Sequence, residues 1–207
     1  MSEFPVYLVD DDESVRRSVG FMLKTSGIDV HSYPNGMEFL KVTKHLDPGC
    51  VLLDIRMPGV DGLEVQAQLN ERGVTYPVVV MTGHGDVELA VRAMKAGAID
   101  FIEKPFDKSV MIQAIEEGFN RLGNSSDNGK RQVDAQLQLN ALTAREHDVL
   151  NGLVKGHPNK TIGYDLGISP RTVEIHRANL MRKLDVHNLS DLLRIAFAAG
   201  MGEGTED

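Results

Sequence analysis

Five short apolar runs, each followed by a stretch with helical spacing, fill the first 122 residues and leave few folds open. The runs are PVYLV (5–9), CVLLD (50–54), PVVVMT (77–82), AIDFI (98–102) and a weaker IDVHSY (28–33). In GDVELAVRAMKAGA, residues Val87, Ala90, Val91 and Met94 fall at i, i+3, i+4 and i+7, one face of a helix. Asn35 is placed to cap the helix that follows it. This alternation predicts an α/β doubly wound fold: five parallel strands with helices on both faces.

The pattern stops at GNSSDNGKRQ (123–132), which is rich in Gly, Ser and Asn and reads as a flexible linker. Everything after it reads as helix. Thr143 and Glu146 form an S/T-x-x-E capping box. Ser169–Pro170 sets a cap and then proline at the first helical position. Asn188 or Ser190 starts a last helix, DLLRIAFAAG. The expected division is therefore 1–122, a linker at 123–140, and an all-α domain at 141–207.

Composition narrows the class. One cysteine, Cys50, excludes an internal disulfide framework and fits a reducing compartment. The N-terminus lacks a signal-peptide pattern, and no apolar run approaches the ~20 residues of a membrane span. The expectation is a cytoplasmic protein without a membrane partner. Charge is uneven: residues 1–122 carry 12 Lys+Arg against 19 Asp+Glu, whereas 142–202 carry 8 against 6. That asymmetry alone does not justify a nucleic-acid assignment.

Ligands of open parallel sheets bind beyond the carboxyl ends of the strands. Asp10, Asp11 and Asp12 follow the first strand, Asp54 ends the third, Thr82 ends the fourth, and Lys104–Pro105 follows the fifth. Hard oxygen donors at this density suit Mg²⁺, which takes one or two carboxylates plus a phosphate. A carboxylate beside Mg²⁺ can attack phosphorus and form an acyl phosphate. The metal, Lys104 and the Thr82 hydroxyl would stabilise the phosphoryl oxygens. Asp12 reads as a surface or capping residue, and Asp61 as a residue that caps or starts a helix after PGV.

The acidic pair in VDDD, the aspartate of LLDIRMPGVDG, the threonine of VVVMTGHG and the lysine of FIEKPF resemble the receiver domains of two-component response regulators, over residues 4–121. The resemblance implies a flavodoxin-like receiver phosphorylated on Asp54. It implies Mg²⁺ held by Asp10, Asp11, Asp54 and the backbone carbonyl of Arg56. Thr82 and Lys104 would sense the phosphoryl group, Phe101 would be the switch aromatic, and Lys104–Pro105 would be a cis bond.

NKTIGYDLGISPRTVEIHRANLMRKL (159–184) reads as helix, tight turn, helix, with Gly167 at the turn. The second helix of such a unit enters the major groove. With LTAREHDVL (142–150) and DLLRIAF (191–197), the segment resembles the DNA-binding domain of the NarL/FixJ (LuxR-type) regulators. Expected DNA contacts are Lys160, Arg171, Thr172, Glu174, His176, Arg177, Arg182 and Lys183. Glu174 stands where many relatives carry lysine; it either accepts from cytosine N4 or is a solvated helix residue. His176 either meets a phosphate or packs within the domain. Gly163 stands where many carry alanine, which costs ~1 kcal/mol of helix propensity.

Together the resemblances imply a phosphorylation-activated transcriptional activator rather than an enzyme. The implied partners are a FixL-like sensor histidine kinase, promoter DNA of the nitrogen-fixation type, RNA polymerase, and a second copy of the chain when phosphorylated. One rival is a Mg²⁺-dependent phosphatase of the haloacid dehalogenase type, but Asp54 is followed by Ile55 and Arg56, so the second acid is missing. The other is a phosphorylation-independent architectural DNA-binding protein, against which the intact pocket set argues.

Overall fold

The computed structural model describes residues 2, 4–83, 87–123 and 128–202. The chain divides into two compact units, residues 1–86 with 96–125, and residues 87–95 with 126–207.

The first unit holds strands β1 (Val6–Val9), β2 (Val30–Tyr33), β3 (Cys50–Asp54), β4 (Val78–Thr82) and β5 (Asp100–Glu103), all parallel in the order β2-β1-β3-β4-β5. Each apolar run in the sequence overlaps one strand, β5 running one residue beyond AIDFI to Glu103. The helices between them are α1 (Glu13–Thr25), α2 (Gly36–Val42), α3 (Gly62–Glu71) and α4 (Val87–Lys95), with α5 (Lys108–Gly123) after β5. α4 belongs by packing to the second unit.

The period of two along β1 sorts its side chains. Val6 and Leu8 join one core with Val19 and Leu23 of α1, Leu52 and Met81 of the neighbouring strands, and Met111 and Ile115 of α5. Tyr7 points the other way, its ring centroid 6.1 Å from that of Phe39 on α2. The sheet is therefore covered on both faces, and its loops at the carboxyl ends are free to carry chemistry.

Three helices start on side-chain caps anticipated in or near the motifs. Asp12 accepts from Ser14 N–H at 2.7 Å, Asn35 from Glu38 N–H at 2.8 Å, and Asp61 from Glu64 N–H at 2.8 Å. Asp12 and Asp61 thus act as caps, as their positions suggested.

The second unit adds α6 (Asn128–Leu139), α7 (Ala144–Val154), α8 (Asn159–Leu166), α9 (Pro170–Lys183) and α10 (Leu189–Ala198). α6 departs from expectation, because it occupies much of the stretch read as linker. Ala135 and Leu139, one helical turn apart, are buried, and α6 packs against α10. That apolar anchor outweighs the polar composition around it. Residues 124–127 of the expected linker lie outside the described residues.

The other caps hold. Thr143 and Glu146 form both halves of the capping box, Ser169 caps α9 ahead of Pro170, and Asn188, not Ser190, caps α10. Gly167 ends α8 at φ 66°, the left-handed region where glycine carries no penalty.

Gly163 now has a reason. A Cβ there would lie 2.8 Å from the Ile168 carbonyl oxygen and 3.3 Å from Pro170 N, so the missing side chain lets α8 close onto the turn before α9. Gly163→Ala should therefore fail to deliver the ~1 kcal/mol expected from helix propensity, and should leave stability equal or lower. Denaturant unfolding of the two proteins checks this; a gain of the full propensity term would contradict the close approach.

Candidate functional site

The carboxyl ends of β1, β3 and β5 bring three of the expected groups into direct contact. Lys104 Nζ donates to Asp10 Oδ2 and to Asp54 Oδ1, both at 2.7 Å. Asp10 is fully buried and Asp54 nearly so. Asp10 Oδ1 also accepts from the Asp12 backbone N–H at 2.9 Å, and Arg16 donates to the Asp10 carbonyl at 2.7 Å. The positive charge that the acidic cluster demands is therefore present in the chain itself, as the Lys104 ammonium. The Lys104–Pro105 bond is cis, as expected.

Asp11 completes the cluster. One oxygen from each of Asp10, Asp11 and Asp54 lies within 4.8 Å of the others. Asp11 is exposed and the other two are buried, so the acidic set opens to solvent on one side. All three offer hard oxygen donors around one point, which fits a small divalent cation of the Mg²⁺ class. Thr82 is buried at the end of β4, and Phe101 is half-buried on β5. Arg56 is exposed in the loop that follows Asp54.

The charges perturb one another. Burial pushes the Asp54 carboxyl above its ordinary pKa; Lys104 opposes this, and Asp10 and Asp11 reinforce it. Burial by itself would lower the Lys104 pKa, but its hydrogen bonds to Asp10 and Asp54 and their charges outweigh that and raise it. The lysine is held charged by the carboxylates it bridges.

Gly62 is a supporting residue that the motifs did not single out. Its Cβ would fall 2.3 Å from the Asp54 carbonyl oxygen and 2.8 Å from Ile55 Cα, while its N–H donates to the Ile55 carbonyl at 2.9 Å. Only a residue without a side chain lets the start of α3 press against the backbone that carries Asp54. The available signal was a glycine directly after the capping Asp61.

The second unit sorts the expected DNA contacts into two groups. Arg171, Glu174 and Arg182 are exposed on α9, and Lys160 is exposed on α8. Thr172 is half-buried and paired with the cap, 2.8 Å from the Ser169 hydroxyl. His176 is half-buried. Two residues also have partners within the domain. Arg177 Nη1 donates to Asn159 Oδ1 at 2.8 Å, tying α9 to the start of α8, and burial draws its pKa down. Lys183 Nζ donates to Glu146 Oε2 at 2.7 Å, closing the α7 capping box onto the end of α9. Ile175, absent from the expected set, is 52% exposed on the same face as Arg171 and Glu174.

Comparison with known proteins matches this geometry. A model of the response regulator receiver domain covers residues 6–116, and one of bacterial regulatory proteins of the luxR family covers residues 140–196. The chain belongs to the response regulators that carry a LuxR-type DNA-binding domain. This response regulator is 49% identical over 201 residues to the transcriptional regulatory protein FixJ of Azorhizobium caulinodans, covering 95% of this chain and 93% of the relative. It is 44% identical to FixJ of Rhizobium meliloti, covering 98% and 99%. The crystal structure of full-length FixJ from B. japonicum superposes with a TM-score of 0.59 at 39% identity, covering 97% of this chain and 99% of that one. As a response regulator it implies a sensor kinase and a DNA target. Among the described residues, no helix is long and apolar enough to cross a membrane.

Two outcomes follow. Gly62→Ala should cost about 1–3 kcal/mol through overpacking against the Asp54 backbone; denaturant midpoints check it, and an unchanged midpoint would contradict the close approach. Glu146 is held at a pKa of about 2, against an ordinary 4.5, chiefly by its hydrogen bond to Lys183 and then by Thr143. A depressed carboxylate stabilises the fold above its unfolded pKa and loses that contribution as pH falls through the folded value. The stability advantage of wild type over Glu146→Gln should therefore shrink as pH drops from about 4.5 toward about 2. An advantage independent of pH would remove the ion pair from the account.

Proposed function

We propose that Asp54 accepts a phosphoryl group from a phosphohistidine of a FixL-like sensor histidine kinase, and that this event controls promoter binding by α9. The carrying observation is the Lys104 ammonium held 2.7 Å from both Asp10 and Asp54 at the rim of the sheet. In the transfer, an Asp54 oxygen bonds to phosphorus as the phosphorus–nitrogen bond of the donor imidazole breaks. Asp10, Asp11, Asp54 and the Arg56 carbonyl hold Mg²⁺ in this reading, and the ion supplies charge neutralisation for the phosphoryl oxygens. Lys104 keeps its contact to Asp10 and turns from Asp54 to a phosphoryl oxygen. The Thr82 hydroxyl donates to another, and Phe101 repacks behind it.

The receiver is assigned to residues 1–122 and the DNA-binding domain to 141–207, joined by 123–140. The protein acts in the cytoplasm. In this reading phosphorylated receivers pair along β5, the edge strand that carries Phe101 and runs on to Lys104. Pairing raises the effective concentration of two DNA-binding domains on inverted half-sites about one helical turn apart. The bound dimer recruits RNA polymerase to promoters of the nitrogen-fixation type, a reading supported by identity to the FixJ relatives across nearly the whole chain. Lys160, Arg171, Thr172, Glu174, His176, Arg177, Arg182 and Lys183 form the DNA face, with Arg177 and Lys183 also tying α9 to its neighbours.

Asp54→Asn should abolish phosphate uptake from a small phosphodonor, because an amide is a poor nucleophile. The wild-type adduct should be labile to hydroxylamine, as acyl phosphates are, and its formation should require Mg²⁺. An acid-labile, base-stable adduct on wild type would defeat the assignment. On the same samples, sedimentation and gel shift should show dimerisation and DNA affinity rising together. Tight DNA binding by a phosphorylated monomer would refute the pairing step.

A further inference from the structure

The exposed face of α9 carries Arg171, Glu174, Ile175 and Ala178, at i, i+3, i+4 and i+7, while Val173 and Leu180 are buried on the opposite side. Glu174 is the only acid on that face. A carboxylate directed at a polyanion is repelled by every nearby phosphate, and it does not belong there unless it does something else. Arg171 Nη1 donates to Glu174 Oε2 at 2.8 Å, with the side chains 83% and 49% exposed. An ion pair this exposed contributes little to folding. Ordering Arg171 is what remains.

We propose that Glu174 is a positioning residue that presets the Arg171 guanidinium to read one guanine in the major groove. The inference rests on α9 being the recognition helix. A free arginine has many rotamers to lose on binding, and its planar fork reads guanine O6 and N7 only in one orientation. With Nη1 occupied by Glu174, Nε and Nη2 of the same plane remain as donors. The pair replaces part of the entropy loss with an arrangement made before DNA arrives. It also cancels the repulsion of the one acid on the reading face. Lysine at position 174 could contact phosphate or base by itself but could not hold Arg171, so this chain uses a two-residue reader where a lysine would act alone.

The test uses the full chain, treated with acetyl phosphate and Mg²⁺, and a randomised duplex pool. Wild type first selects its site. Arg171→Ala should then lose discrimination at one G·C pair by about tenfold to a hundredfold. Glu174→Ala should loosen the same pair by roughly three- to tenfold, the share that depends on preorganisation. It should also bind non-specific duplex more tightly, because a negative charge is gone. In the Arg171→Ala background, Glu174→Ala should leave the preference at that pair unchanged. Unaltered melting temperatures confirm that the variants are folded. If Glu174→Ala leaves preference at the Arg171-dependent pair intact, or alters a different pair, the inference is overturned and the recognition-helix reading survives. If wild type selects no sequence, both fall.

Discussion

The Lys104 ammonium between Asp10 and Asp54 is the contact on which the receiver depends. One oxygen from each of the three carboxylates lies within 4.8 Å of the others, and like charges that close repel strongly where they are buried, as at Asp10 and Asp54. Two strands, β1 and β3, bring their carboxylates to that point because their apolar runs pair in parallel, so the fold itself creates the repulsion. The fifth strand delivers the cation that offsets it. The same arrangement readies the site for phosphorus chemistry. In the proposed transfer, a lysine already hydrogen-bonded to Asp54 needs only a small displacement to reach an oxygen of the incoming group.

The DNA-binding domain solves a different problem, that of holding a short helix rigid with its basic face exposed. Val173 and Leu180 seat α9 in the core, Arg177 ties it to Asn159 at the start of α8, and Lys183 ties its last turn to Glu146 of α7. Gly163 lets the turn before α9 close against α8. Arg177 and Lys183 thus have partners within the domain, whereas Arg171 and Arg182 are paired only within α9.

The strands were legible because buried parallel strands read as continuous apolar runs, and the caps because Asp, Asn, Ser and Thr stand at fixed offsets from helix starts. Asp10, Asp11, Asp54 and Lys104 were legible as a set, since strand ends converge whatever lies between them. What stayed hidden depends on distances between elements remote in sequence. Lys183 and Glu146 are 37 residues apart, and no local pattern joins them. Gly62 and Gly163 matter through the backbone they approach, which a one-dimensional pattern does not display. α6 was missed because its polar composition masks two anchors, Ala135 and Leu139, whose partner is a helix fifty residues on. That Lys104 bonds Asp10 and Asp54 directly, rather than only lying beside the cluster, also required the geometry.

The central claim is that Lys104 is the resident counter-charge of the carboxylate cluster. Thermal melting of wild type and Lys104→Met, each with and without Mg²⁺, tests it most directly. Without metal the variant should melt lower, because Asp10, Asp11 and Asp54 then repel without compensation. Added Mg²⁺ should raise the variant's melting temperature by more than that of wild type, since the ion no longer shares the carboxylates with an ammonium and binding stabilises by mass action. Equal melting temperatures without metal, together with equal increments on adding it, would contradict the account.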